Sequence, residues 1–212
     1  MAYTMYSQLD DGWKHVMLGQ SNTTIGQYGC LLCAVASGLA DVGATIDGLP
    51  PDPPRLTRWL TRHAGFTAPA DAPDEQNLFV FDAMRPLGVR LEEYVDCRDI
   101  PAPVSKVRDA LSRPKTFVVI QVDFRPGDGQ RQQHWVRTVE WFDADIKIMD
   151  PWLVGSSREA YLMTRYALPS WDSAARAIFR MAIYHYDLGG VPFAPAEAEV
   201  GPIQEIPCPY PY

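Results

Sequence analysis

Three side chains far apart in the chain carry the groups that nucleophilic catalysis uses. Cys30 opens Cys30-Leu-Leu-Cys-Ala-Val-Ala-Ser-Gly-Leu-Ala40, a run of small apolar residues of helical length. His134 follows a glycine-containing loop and begins a β-rich stretch, and Asp150 stands before Pro151. A thiol becomes a good nucleophile when a base is near and the local field favours thiolate. A helix N-terminus supplies part of that field through its unpaired N–H groups. Histidine can take the thiol proton and return it to a leaving amine. A carboxylate beside the imidazole fixes its tautomer and stabilises its cation.

These roles need a helix that begins at Cys30 and strands that deliver the other two groups. The run from Cys30 has no polar face, which predicts a buried helix, with Gly43 as its stop. Pro50, Pro51, Pro53 and Pro54 form a stiff loop, and Pro54 can begin the next helix. Leu56, Trp59 and Leu60 fall on one face of that helix, which ends near Gly65. Residues 67–76 read as a polar loop. Leu78, Phe81 and Met84 recur every three residues and predict a short helix closed by Pro86 and Gly88. A strand is expected around Val89–Val95 and a helix over Val104–Leu111.

The second half changes period. Thr116–Val122, His134–Trp141, Ile146 with Ile148, and Ala177–Tyr186 read as strands, with turns over Arg125–Gln130 and at Asp143. Helices first and a mostly antiparallel sheet afterwards is an α+β plan. If the strands at His134 and Asp150 are hairpin neighbours, their 16-residue separation brings them side by side. Residues 1–28 read as an irregular arm. Residues 189–212 hold six of the 19 prolines and read as an extended tail beyond a domain of residues 1–188.

Composition limits the alternatives. The chain of 212 residues is 47% hydrophobic and 21% charged, enough for a globular core. A net charge of −7 and the lack of any Lys/Arg run argue against nucleic-acid binding through a basic face. No apolar stretch is long enough for a membrane span, and the N-terminus lacks the pattern of a secretory signal. A cytoplasmic or virion-associated location is therefore expected.

The order Cys, His, Asp is the one papain-like enzymes use, and a closer likeness follows from the motifs. Tyr6-Ser-Gln-Leu-Asp-Asp-Gly-Trp13, Leu18-Gly19 and Thr24-Ile-Gly-Gln-Tyr-Gly-Cys30 resemble the opening of the bacteriocin-processing-type (C-39-like) cysteine peptidases of bacteria and phages. His134-Trp135-Val136, then Ile148-Met-Asp-Pro-Trp152 and Gly155, resemble that group's closing motif, and Leu111–Asp123 resembles the helix and strand before its histidine. The likeness spans roughly residues 5–186.

It implies a papain-like cysteine peptidase fold, with an N-terminal helical part packed on a mostly antiparallel sheet. Cys30 is the implied nucleophile, His134 the base and Asp150 the orienting residue. An upstream glutamine would donate to the oxyanion together with the Cys30 backbone N–H. Gln8 matches that position best, and Gln27 and Gln20 compete. No metal or organic cofactor is implied. The expected reaction is hydrolysis of a peptide or amide bond in a protein, a leader peptide or a peptidoglycan stem peptide. Transporter-linked members are fused to membrane and ATP-binding domains. This sequence has neither, so leader removal during export is not implied.

Each residue also has a plainer reading. A cysteine on a small-residue helix is commonly a packing residue. Cys30 and Cys33 form a C-x-x-C, which admits a redox pair or a metal site. A redox motif would usually follow a strand in βαβ order, and zinc would need four well-spaced ligands. Cys33 fits the core, one helical turn beyond Cys30. His15, His63 and His185 read as surface or packing residues, and Asp10-Asp11 as a solvated turn. Trp13, Trp135 and Trp152 either line a cleft or pack around the sheet. In the rival function the chain is a structural or binding component of a phage particle. The tail, ending Pro-Cys-Pro-Tyr-Pro-Tyr, would then dock on a partner or fold back as a plug.

Overall fold

A computed structural model describes residues 3–154 and 159–187. The arm at the N-terminus is irregular up to a single turn, α1 (Ile25–Tyr28). Helix α2 (Cys30–Val42) follows at once and stops at Gly43, whose φ of +84° suits a residue without a Cβ. Every residue from Cys30 to Leu39 is buried, as the unbroken run of small apolar residues requires. Helix α3 (Pro53–Arg62) starts on Asp52, whose carboxylate accepts from the Arg55 N–H, with prolines in the first turn.

Strands β1 (Phe66–Thr67) and β2 (Leu78–Phe79) form a small ladder of their own. The short helix expected over residues 78–84 is absent, and only Arg85–Leu87 forms a 3₁₀ turn. The three-residue spacing of Leu78, Phe81 and Met84 arises from chain turns that bury each of them in turn. Phe79 meets Phe66 edge-on across the ladder and Phe81 along the chain.

The main sheet is built from β3 (Val89–Asp96), β4 (Thr116–Asp123), β5 (Gln133–Phe142), β6 (Asp145–Met149), β7 (Glu159–Tyr161) and β8 (Arg180–Tyr186). Their order is β3-β8-β4-β5-β6-β7, and every neighbouring pair is antiparallel. Helix α4 (Val104–Ser112) precedes β4, and α5 (Leu162–Tyr166) follows β7. The fold is therefore mixed α+β with an antiparallel sheet. The short elements β7 and α5 carry no signal in the residue pattern.

Alternation along the strands sends side chains to two cores. Phe117, Val119, Trp135, Ala182 and Tyr184 pack with the α2 residues. Val118, Ile120, Val136, Ile148, Met181 and Ile183 pack with residues of α4 and α5. Helix α2 comes close to the sheet at Gly38, where a Cβ would lie 2.2 Å from the Phe117 ring. The end of β4, the start of β5, the end of β6 and the N-terminus of α2 bound the region that holds the site.

Candidate active site

The approach to Cys30 is fixed by local hydrogen bonds. Thr24 caps α1 by accepting from the Gln27 N–H at 3.3 Å, while the Gln27 amide oxygen accepts from the Thr24 N–H at 2.9 Å. The Gly29 N–H donates to the Ile25 carbonyl at 2.8 Å, so α1 passes directly into α2. No side chain caps the N-terminus of α2. Its first N–H groups and the positive end of the helix dipole therefore act on Cys30 without a competing acceptor. Cys30 is buried, with 6% of its surface exposed.

His134 enters from the start of β5, where it lies opposite Val122 of β4. Asp150 enters from the end of β6, because Met149 pairs with Arg137 and the chain then turns back toward His134. The two side chains meet with Nε2 of His134 2.8 Å from Oδ1 of Asp150, both fully buried. A carboxylate can only accept here, so Nε2 carries the hydrogen. Nδ1 then faces the remaining neighbour. It has no hydrogen-bond partner, and Cys30 lies near enough to favour the charged form of the ring.

Burial works against the imidazolium, but the Asp150 charge and hydrogen bond, together with Cys30, outweigh it. His134 is raised to about 9. For Asp150, burial alone would raise the pKa. The His134 cation, hydrogen bonds from His134 and Tyr166, and the Arg165 charge instead hold it well below the carboxylate range.

Asp150 is held by more than the histidine. Its Oδ1 also accepts from the Trp152 N–H at 2.9 Å. Its Oδ2 accepts from the Tyr166 hydroxyl at 2.6 Å and from Nε of Arg165. Phe124 stands edge-on to His134 at 5.2 Å and to Trp152 at 5.1 Å, so aromatic faces shelter the ion pair from water. Water exclusion strengthens the charge interactions within.

Comparisons with protein-family models, with curated proteins and with solved structures gave no match.

Gln8 reaches the same region from the arm. Its backbone N–H donates to the Pro151 carbonyl at 2.8 Å, one residue beyond Asp150. Its Nε2 donates to the Gly26 carbonyl at 2.9 Å, four residues before Cys30. That bond fixes the amide orientation, since the flipped amide would set two oxygens against each other. Gln27 completes the α1 cap, and Gln20 is joined through its backbone to Gln76.

The other singled-out residues lie apart. Trp135 is buried beside Phe81, and Trp13 sits edge-on to Tyr6 and donates to the Ser7 carbonyl. Trp152 meets the site, donating its backbone N–H to Asp150 and packing its ring on Phe124. His63 stacks on Trp59, His185 meets Thr116 and Asp187, and His15 is exposed. Asp11 is exposed and pairs with Lys14, as a solvated turn would. Cys33 is wholly buried in the core under Cys30. Among the described residues no three His, Cys, Asp or Glu side chains converge as metal ligands.

Arg165, Tyr166 and Phe124 belong to the site and were not visible as such in the sequence. Arg165 and Tyr166 lie on a helix of five residues, too short for a periodic signal. Only an expectation that a buried carboxylate needs further donors would have prompted a search for them.

Proposed function

We propose that the chain is a cysteine peptidase of papain-like fold, hydrolysing a peptide or amide bond through an acyl-enzyme. One observation carries this reading. Asp150 takes Nε2 of His134 and leaves Nδ1 unpaired, and the ring is under the influence of Cys30 at the uncapped N-terminus of a buried helix.

The steps follow from that arrangement. His134 takes the Cys30 proton on Nδ1, and the thiolate attacks the substrate carbonyl carbon. The Cys30 backbone N–H and the second N–H of the Gln8 amide stabilise the oxyanion. The imidazolium then protonates the leaving amine as the C–N bond breaks, giving a thioester. His134 next takes a proton from water, and the hydroxide releases the acid and restores the thiol. Asp150 keeps the ring oriented and offsets its charge throughout.

The substrate class we assign is a protein or leader peptide, or the stem peptide of peptidoglycan, acted on in the cytoplasm or a virion. Among the described residues no helix is long and apolar enough to cross a membrane. The rival reading as a phage-particle component rests on the tail, which lies outside the described residues. No specific observation favours it.

The test incubates wild-type protein and Cys30→Ala side by side with unfolded protein and with purified peptidoglycan. Release of new amino termini from one substrate is expected from wild type alone. Equal release by Cys30→Ala would refute the mechanism.

A further inference from the structure

Cys33 has no place in the peptidase mechanism, yet it lies one helical turn below the nucleophile. Both are free thiols on α2. Helix rise and radius put Cα atoms three residues apart at about 5 Å, inside the range of roughly 4.4–6.8 Å that a disulfide spans. Their exposures differ in the useful direction. Cys30, at the first position of the helix, keeps 6% of its surface exposed, and Cys33 is 0% exposed in the same core.

We propose that Cys30 and Cys33 are a reversible oxidation site, in which Cys33 captures a peroxide-oxidised Cys30 as a disulfide and protects the nucleophile from irreversible loss. This rests on the reading of Cys30 as the reactive thiol. In the first step the Cys30 thiolate attacks hydrogen peroxide. The sulfur is oxidised to a sulfenic acid, and the peroxide O–O bond breaks with release of hydroxide. In the second step the Cys33 sulfur attacks the Cys30 sulfur. The S–O bond breaks, the departing hydroxide takes the Cys33 proton, and water leaves behind the S–S bond.

The surroundings favour this order. Burial pushes the Cys33 thiol well above its usual range, and the charge of Cys30 and then Asp10 add to the effect. Cys33 therefore stays protonated while Cys30 is attacking the peroxide. Oxidation of Cys30 to a neutral sulfenic acid removes that neighbouring charge and lets Cys33 ionise more readily. Cys97 lies in the second core, on the other side of the sheet, and is raised to about 11, chiefly by burial. It has no cysteine neighbour in that core and serves as an internal control.

The test treats the full-length protein with a small excess of hydrogen peroxide, blocks free thiols and reads each cysteine by mass spectrometry. The expected product is a Cys30–Cys33 peptide lacking two hydrogens, restored to two thiols by dithiothreitol, with Cys97 unchanged. In Cys33→Ala, Cys30 is expected to take up two or three oxygens that dithiothreitol does not remove. Sulfinic or sulfonic acid at Cys30 of the wild type, or a disulfide from Cys30 to Cys208, would overturn the inference while leaving the peptidase reading intact. Oxidation of Cys30 no faster than Cys97 would overturn both.

Discussion

At the residue scale the site depends on how Asp150 shares its four hydrogen bonds. Oδ1 serves His134 and the Trp152 backbone, and Oδ2 serves Tyr166 and Arg165. Arg165 neutralises part of the charge that would otherwise hold the proton on His134. Arg165→Met should therefore raise the His134 titration above about 9, read from the imidazole proton resonances. A fall would show that Arg165 supports the imidazolium instead. Its guanidinium is about one-third exposed, so solvent screening makes the shift modest. Tyr166→Phe removes a donor to a buried carboxylate and should cost about 1.5–3 kcal/mol. Chemical denaturation of the two proteins measures that difference. Gln8→Ala should lower kcat by about 10²–10³-fold, with unchanged kcat moving the role elsewhere. The pairing of His134 with Asp150 was legible in the sequence because each has a distinctive chemical type and place at the edge of a strand. Arg165 and Tyr166 were not, because nothing in Arg-Tyr distinguishes a carboxylate clamp from a surface pair.

At the scale of elements, packing and turn chemistry explain what pattern reading did and did not capture. Helix α2 was legible because its small residues are needed where the helix nears β4. Gly38→Ala places a methyl against Phe117 and should destabilise by about 1–3 kcal/mol. A melting temperature equal to wild type would show that the ring yields freely. Strands β4, β5, β6 and β8 were legible from their β-branched runs, although the last begins at Arg180 rather than Ala177. The segment 78–84 was misleading because apolar spacing alone does not separate a helix from a turning chain held by aromatic contacts. Phe66 and Phe79 set the small β1–β2 ladder through a contact that exists only after folding.

At the scale of the whole molecule, the site joins two layers whose placement must be held within a fraction of an ångström. Arg137, three residues beyond His134, crosses from β5 to α2. Its Nη1 donates to Ser37 Oγ at 2.8 Å and to Asp41 Oδ2 at 2.6 Å. Asp41 and Ser37 in turn hold the backbone of Thr4 in the arm. Asp41→Ala would leave the guanidinium with Ser37 alone and should cost about 1–3 kcal/mol. The pair Asp41→Leu with Arg137→Met should recover much of that loss in denaturant unfolding. A double variant no better than the single would contradict this view of the bridge.

Charge also sets the pH window of stability. His134 has a raised folded pKa, so its contribution is full below about 6.5 and is lost as pH rises through about 9. Asp150 has a depressed one, so its contribution is present above about 3.9 and is lost as pH falls toward its folded value.

The partnership of Cys30 and His134 is tested most directly by the pH dependence of iodoacetamide labelling, followed at Cys30 and Cys97 separately. Cys30 should react faster than Cys97 at neutral pH, with a change in rate near pH 9 that disappears in His134→Ala. Equal rates for the two cysteines, or a Cys30 profile that His134→Ala leaves unchanged, would contradict it.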